Sequence, residues 1–304
     1  MELPSAGHEP VLLDEVLHAL RPRPGEVFVD CTLGRGGHSE TIAQRLGESG
    51  TLIALDADPR NLDYARQRLV GVPCRVRLFH ANFAELEDVL AEANTPRVHG
   101  ILADLGISTN QLFDEAYGLS FAADMPLDMR LDPRSRRNAA DIVNSMREDD
   151  LADLLFKLAQ ERYSRRIARK IADARRQAPI TSTEQLATIV RQAIPSRRGA
   201  PEKIDPATRT FMALRMAVNS ELENLHALLR QAPEHLEVGG RFGVISFHST
   251  EDRQVKQAFR ALEQTGLFSL VTKKPLSPTD AEISRNPRAR SAKLRVIERN
   301  RQTG

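Results

Sequence analysis

The stretch that most constrains how this chain can fold is Val27-Phe28-Val29-Asp30-Cys31-Thr32-Leu33-Gly34-Arg35-Gly36-Gly37-His38. An apolar run ends in an acid, a glycine cluster follows, and apolar residues then recur at helical spacing at Ile42, Ala43 and Leu46. A buried strand, a tight turn and a helix N-terminus are the parts a nucleotide-like cofactor requires. The segment from Thr51 to Asp56 repeats the apolar run ended by an acid; residues 75–80 read as a third strand, and residues 98–103 as a fourth running into Asp104. Helical patterns separate these runs, and Pro59 suits the first turn of the helix carrying Leu62, Ala65 and Leu69. The alternation predicts parallel βαβ units, and so an α/β fold with a mostly parallel sheet. Ligands bind beyond the carboxyl ends of such strands, where Asp30, Asp56 and Asp104 fall.

The rhythm then breaks. Residues 112–137 read as a loop, and from about 139 to 194 only helix patterns occur, with Leu151, Leu154, Leu155 and Leu158 on one face and Tyr163, Ile167 and Ile171 on another. Thr181 with Glu184 has the spacing of a capping box. A long helix is expected from Ala207, its stripe running through Phe211, Leu214, Val218, Leu222, Leu225 and Leu229. Gly239-Gly240 leads into a fifth strand over 241–247, so the sheet resumes. His248 follows it and opens another helix. Two late strands, 267–272 and 292–297, would close the sheet as an antiparallel hairpin around a polar loop, Ser277–Arg290. The reading is therefore a sheet domain of residues 1–111 and 207–304, with an all-helical insertion of residues 112–206.

The formal net charge is only +2, so any anion-binding surface must be local. Two stretches qualify: Leu154–Arg176, with eight Lys/Arg against two acids, and residues 285–301, with seven against one. The N-terminus lacks the features of a signal peptide, and no apolar run is long enough to span a membrane. The two cysteines, Cys31 and Cys74, form no metal-binding or disulfide pattern. A cytoplasmic enzyme with no membrane contact and no metal is expected.

Asp56 lies 20 residues after Gly36, the spacing at which a carboxylate meets ribose hydroxyls beside the first strand. The loop at Asn82-Phe83 follows the third strand, where it can reach an adenine ring. Asp30, at the mouth of the Gly34, Gly36, Gly37 turn, repels a pyrophosphate and favours a cation. That preference points to S-adenosylmethionine, with its ammonium and sulfonium, over a dinucleotide. Asp104 is placed to accept a hydrogen bond from an exocyclic amine such as cytosine N4. Ser108 and Gln111 follow it, with either a site role or loop bonding open to them. His38 starts a helix near the cofactor. His248 reads equally as a base, a stacking group or a structural histidine, and His8 with Glu9 and Pro10 as a cap over the site. No Pro-Cys nucleophile occurs, against methylation through a cysteine adduct.

Taken together and in order, Asp30–Ser39, Asp104–Ser108, Pro126–Arg130, Pro206–Phe211, Val218–Leu222, Ile245–Ser249 with Glu251–Arg253, and Asn286–Arg290 make the chain resemble the bacterial ribosomal RNA small-subunit methyltransferase H family (RsmH, or MraW). The opening His8–Asp14 fits as well, so the resemblance covers nearly the whole length. It implies a Rossmann-like class I methyltransferase domain with a helical, RNA-binding insertion. The implied activity is S-adenosylmethionine-dependent N4-methylation of a cytidine in the decoding region of small-subunit (16S) ribosomal RNA, within the 30S particle, with monomer and homodimer both open. It also implies cofactor positions at Gly36, Gly37, His38, Asp56, Phe83, Asp104 and Gln111. The departures remove no carboxylate and no cofactor-site glycine and bear only on local loop geometry: Ser108-Thr-Asn-Gln111 where family members often have Ser-Ser-Pro-Gln, Met125 before Pro126 instead of glycine, Met212 instead of glutamine, and Thr250 instead of leucine. The residues alone leave two rivals: a methyltransferase acting on a small molecule or protein, and a catalytically silent RNA-binding or assembly factor.

Overall fold

The computed structural model describes residues 10–195 and 205–301; His8 and Glu9 lie outside the described residues. In chain order the first elements are α1 (Leu13–Leu20), β1 (Val27–Asp30), α2 (Gly37–Leu46), β2 (Thr51–Asp56), α3 (Pro59–Arg68), β3 (Arg75–His80), α4 (Leu86–Glu92) and β4 (Val98–Asp104). Helices follow: α5 (Thr109–Phe113), α6 (Ala139–Ser145), α7 (Glu148–Ala159), α8 (Ser164–Arg175), α9 (Thr183–Ala193) and α10 (Thr208–Val218). The chain then returns through α11 (Glu221–Gln231), β5 (Leu236–Ser246), α12 (Ser249–Gln264), β6 (Phe268–Leu270), α13 (Asp280–Arg285) and β7 (Lys293–Arg299). Two compact units result, one running to Gly106 and resuming at Leu222, the other Ile107–Glu221. Among the described residues no helix is long and apolar enough to cross a membrane.

The first unit is one seven-stranded sheet in the order β3-β2-β1-β4-β5-β7-β6. β1 through β5 pair in parallel, and β7 runs antiparallel to both β5 and β6. β1 and, past Thr51, β2 are apolar up to their final acid because both faces are covered, whereas the edge strand β3 carries Arg75, Arg77 and His80. Alternate residues feed opposite layers: Phe28, Leu52, Ala54 and Leu102 pack with α1, α2 and α3, while Val29, Ile53, Leu55 and Ile101 pack with α4, α11 and α12. Strand order reverses direction at β1/β4, the crevice in which such sheets bind ligands. Asp30, Asp56 and Asp104 are the last residues of β1, β2 and β4 and so share one edge of the sheet. The expected hairpin of late strands is present, but the loop between them is partly helical (α13), and its Glu282 accepts the Leu12 backbone N–H at 2.8 Å. β5 begins earlier than expected: Gly239-Gly240 is a bulge within it, where register against β4 shifts.

The helical unit has its own core, drawn from Leu127, Met129, Ile142, Leu151, Leu155, Ile167, Ile171, Leu186, Val190, Phe211 and Leu214. The segment 118–138 is pinned rather than loose. Leu127 N–H donates to the Thr181 carbonyl, Thr183 N–H to the Met125 carbonyl, and Arg130 pairs with Asp128 at 2.7 Å. Gly118 is required there, because a β-carbon would sit 1.9 Å from the Pro126 carbonyl oxygen. The capping box at α9 is Ser182 with Gln185, one residue beyond the expected pair.

One expectation fails plainly. The long helix from Ala207 is two helices, broken at Asn219 and at Ser220, whose φ is 48°. Its apolar stripe is divided: Phe211, Leu214 and Val218 belong to the helical core, Leu225 and Leu229 to the sheet core. The Asn219 side chain fixes the break, accepting from Leu131 N–H at 2.9 Å and donating to the Met129 carbonyl at 2.8 Å.

Candidate functional site

Three strand-end aspartates organise the site, each held differently. Asp30 is buried; it accepts a 2.7 Å bond from the Ser39 hydroxyl and a 3.1 Å bond from Thr32 N–H. Burial lifts it above the ordinary aspartate range against these bonds and the neighbouring His38. Asp30 thus closes the glycine turn on itself. Any influence it has on a ligand at this edge acts through its field.

The turn follows from local geometry. Gly36 has a φ of +78° and caps α2, a conformation that favours glycine. At Gly37 a β-carbon would lie 2.6 Å from Pro10 Cγ, so glycine there lets the N-terminal segment pack down. Gly34, also left-handed, donates its N–H to Asp56 Oδ2 at 2.7 Å. Asp56 accepts further bonds from Asp58 N–H at 2.8 Å and Asn61 Nδ2 at 3.2 Å. Burial nevertheless pushes it up to about 6. Its backbone carbonyl accepts from Ala81 N–H, which brings the next loop, with Phe83 in a short 3₁₀ turn capped by Asn82, to the end of β2.

Asp104 is the least satisfied of the three. Its N–H donates to Thr32 Oγ1 at 2.6 Å, tying the ends of β1 and β4 together. Its Oδ1 is buried without a hydrogen-bond partner. Its Oδ2 lies 3.7 Å from His38 Nδ1. His38 Nε2 lies 2.9 Å from the Val11 carbonyl, which can only accept, so Nε2 donates there and Nδ1 is the nitrogen turned to Asp104. A quarter of the Asp104 side chain (24%) reaches solvent, while its Oδ1 is buried. Burial first, then the negative charges of Asp30 and Glu251, raise it well above the ordinary aspartate range.

His248 is the N-cap of α12, with Glu251 N–H directed at its Nδ1. Glu251, missed in the sequence reading, is buried, accepts from Phe247 N–H at 2.9 Å, and lies 3.0 Å from His248 Nε2. Its spacing of three from His248 is that of a capping box, and that was the available signal. Thr32 and Ser39 were missed as well; nothing in their spacing marks them. Asp30, His38, Asp104 and Glu251 are therefore one cluster, with Asp56 and Phe83 along the same sheet edge. Ser108 and Gln111 lie in the helical unit at the start of α5, where Gln111 Oε1 accepts the Ser108 N–H at 3.0 Å.

Comparison with known proteins agrees across the whole chain. A model of the MraW methylase family matches residues 5–300. A protein of Syntrophotalea carbinolica is 46% identical over 307 residues, covering 96% of this chain and 98% of its own length. One of Acidobacterium capsulatum is 47% identical over 300 residues, with coverages of 96% and 98%. One of Anaplasma marginale is 46% identical over 292 residues, with coverages of 96% and 99%. Each bears the name ribosomal RNA small subunit methyltransferase H. With the Rossmann-like sheet, its carboxylate-lined edge and full-length identity of this order, the chain belongs to the MraW methylase family.

Proposed function

We propose that this protein transfers the methyl group of S-adenosylmethionine to N4 of a cytidine in the decoding region of small-subunit ribosomal RNA, in the cytoplasm and on the 30S particle. Its relatives' name supports the coarser activity, methylation of small-subunit ribosomal RNA. The observation that carries the finer reading is the Asp104 carboxylate, with one buried oxygen that accepts no hydrogen bond at the sheet edge where ligands bind.

The residues fit the donor. Asp30, Asp56 and Asp104 meet no Lys or Arg within ion-pair distance among the described residues, and burial raises all three. Such an edge disfavours phosphate and is relieved by a positive ligand. When bound, S-adenosylmethionine supplies an electrophilic methyl on a sulfonium, together with an ammonium. In our assignment Asp56 accepts from the ribose hydroxyls, and Phe83 lies along the adenine. The backbone of Gly34, Gly36 and Gly37 gives the turn its close approach. His38 completes the contacts of the sheet unit, and Asp30 contributes its field; Gln111, in the helical unit, is a further candidate.

Cytosine N4 is a poor nucleophile because its lone pair is delocalised into the ring. Alignment contributes most of the gain. The Asp104 carboxylate accepts a hydrogen bond from the amine, which localises the lone pair and stabilises the positive charge developing on nitrogen. Its raised proton affinity suits it to take the proton released after transfer. Ser108 is the second candidate at the substrate side. His248 acts as a positioning residue that holds the loop after β5 through Glu251. The helical unit and the Arg-rich segment 285–301 take the RNA phosphates, and the target base must be unpaired or flipped.

The test offers small subunits and naked ribosomal RNA from an unmethylated strain together with labelled S-adenosylmethionine, followed by mass spectrometry of the modified nucleoside. The expected product is a single N4-methylcytidine in the decoding region. Label on another atom, or none on either substrate, overturns the reading.

A further inference from the structure

The helical unit carries a surface that its own packing does not explain. α7 and α8 pack together and are joined by residues 160–163. α8 buries Ser164, Ile167, Ala168, Ile171 and Ala172 on one stripe. At 3.6 residues per turn the opposite face then carries Arg165, Arg166, Arg169 and Lys170, and Arg162 lies in the connection just before the helix, all of them exposed. Solvated helix faces usually interleave acids with their bases. Here Arg162, Arg165, Arg166 and Lys170 meet no carboxylate among the described residues, and Arg169 stands 3.8 Å from Glu148, beyond hydrogen-bond reach. Of the acids of α7, Glu148, Asp149 and Asp150 sit in its first turn and Asp153 lies one turn on, paired with Lys157 at 3.2 Å, while Glu161 in the connection to α8 is buried. The helix pair is therefore negative at one end and positive at the corner.

Two aromatic rings are exposed at that same corner. Phe156, in the last turn of α7, is 57% exposed, and Tyr163, immediately before α8, is 38% exposed. The unit buries Tyr117 and Phe211 in its core, so room for aromatic rings is not lacking there. Tyr163, Arg166 and Lys170 step by three and four along one side of the helix. Unpaired cations beside exposed rings match a partner that is negatively charged along its length and presents flat apolar faces. A nucleic-acid strand with unstacked bases has both features, whereas a duplex hides its base faces and an acidic protein surface lacks them.

We infer that the α7–α8 corner is a stacking platform for a single-stranded segment of RNA, with bases against Phe156 and Tyr163 and phosphates along Arg162, Arg165, Arg166, Arg169 and Lys170. This rests on the proposed function in taking RNA as the substrate class, and adds where on the unit it is gripped and in what state.

The test measures binding of the full-length protein by fluorescence anisotropy to a 12-nucleotide unstructured RNA, to the same strand annealed to its complement, and to polyglutamate, across a salt series. Two variants accompany the wild type: Phe156→Ala with Tyr163→Ala, and Arg165→Gln with Arg166→Gln and Lys170→Gln. All five residues are exposed, and circular dichroism checks that the helices are retained. The single strand should bind more tightly than the duplex or polyglutamate. The aromatic variant should lose about tenfold per ring on the single strand, with its salt dependence unchanged. The cationic variant should lower the log–log salt slope by about two, near 0.7 per phosphate contact. Equal binding of duplex and single strand, equal competition by polyglutamate, or an aromatic variant that binds like wild type overturns the inference. Methyl transfer to small subunits is measured on the same variants. A corner that fails these binding tests while transfer persists removes the inference and leaves the proposed function standing; strand binding that passes them without any transfer does the reverse.

Discussion

Asp56 offers a quantitative test of how the sheet edge is built. Three donors converge on its carboxylate, from Gly34, Asp58 and Asn61, yet burial pushes it from 3.8 up to about 6. The folded protein without ligand therefore holds this proton to higher pH than the unfolded chain does. Between pH 3.8 and about 6 the unfolded chain has already released it, so stability falls as pH rises through that window, and the loss is complete above about 6. At about 1.4 kcal/mol per pH unit the gap amounts to roughly 3 kcal/mol. Ligand binding runs the other way. Two ribose hydroxyls need both carboxylate oxygens as acceptors, and protonation turns one of them into a donor, so affinity should climb with pH and level off above about 6. For one such group the dissociation constant at pH 5 should be about tenfold that at pH 7. Isothermal titration calorimetry with S-adenosylhomocysteine, at pH 5, 6, 7 and 8 and in buffers of different ionisation enthalpy, reads both the affinity and the proton released. Asp56→Asn should weaken binding and flatten the pH dependence, since its amide would face one of the three converging donors. Wild-type affinity constant within twofold from pH 5 to 7, or a slope that survives in Asp56→Asn, would refute the assignment.

Other expectations follow from the same geometry. Asp104→Asn should cut methyl transfer by about 10²–10³, the scale of a lost transition-state acceptor. It should also raise the melting midpoint of the unliganded protein, because it removes a buried charge repelled by Asp30 and Glu251; transfer near wild type in the folded variant would exclude Asp104 from the chemistry. Gly118→Ala places a β-carbon against the Pro126 carbonyl at a residue whose φ is +60°, and should destabilise the helical unit by at least about 2 kcal/mol, read as a lower melting midpoint and faster proteolysis within 118–138. Asn219→Ala removes the acceptor for Leu131 N–H and the donor to the Met129 carbonyl and should cost about 2–3 kcal/mol by denaturant titration, whereas a loss below about 0.5 kcal/mol would mean that these bonds do not hold the helix break.

Much of the sheet unit was legible because its signals are local. Val27–Asp30, Thr51–Asp56 and Val98–Asp104 are short apolar runs ended by an acid, and each is a strand ending at that acid. The break between α10 and α11 was illegible for a physical reason. The apolar stripe stays in helical phase straight through Asn219-Ser220, and neither residue is a glycine or a proline. What divides the helix is the bonding of Asn219 to residues 129 and 131, about ninety positions earlier, and no periodicity reports on that. The state of Asp30 was hidden in the same way. A strand-end acid after an apolar run reads as exposed, but Ser39, brought back by the glycine turn, and Thr32 N–H allow it to be buried. The basic residues of α8 could be counted in the sequence, but their common face is defined only once the buried stripe is known.

How the sheet unit treats its other carboxylates argues that the cluster serves a ligand. Asp252 is bound by Arg295 at 2.8 Å and Lys293 at 3.3 Å and is lowered below the ordinary range; Glu298 pairs with Arg241, and Glu40 with Arg68 at 2.7 Å. These three carboxylates of the unit are each supplied with a lysine or arginine. At the β1, β2 and β4 ends there is none among the described residues, and Asp30, Asp56 and Asp104 all hold their protons more tightly than free aspartate. Burying acids without counter-ions lowers the stability of the empty protein, and that loss is recovered when a positive group arrives. On the proposed assignment, the same raised proton affinity suits Asp104 to accept the proton that the transfer leaves behind. One electrostatic arrangement would then serve both donor selection and the acid expected to face the amine.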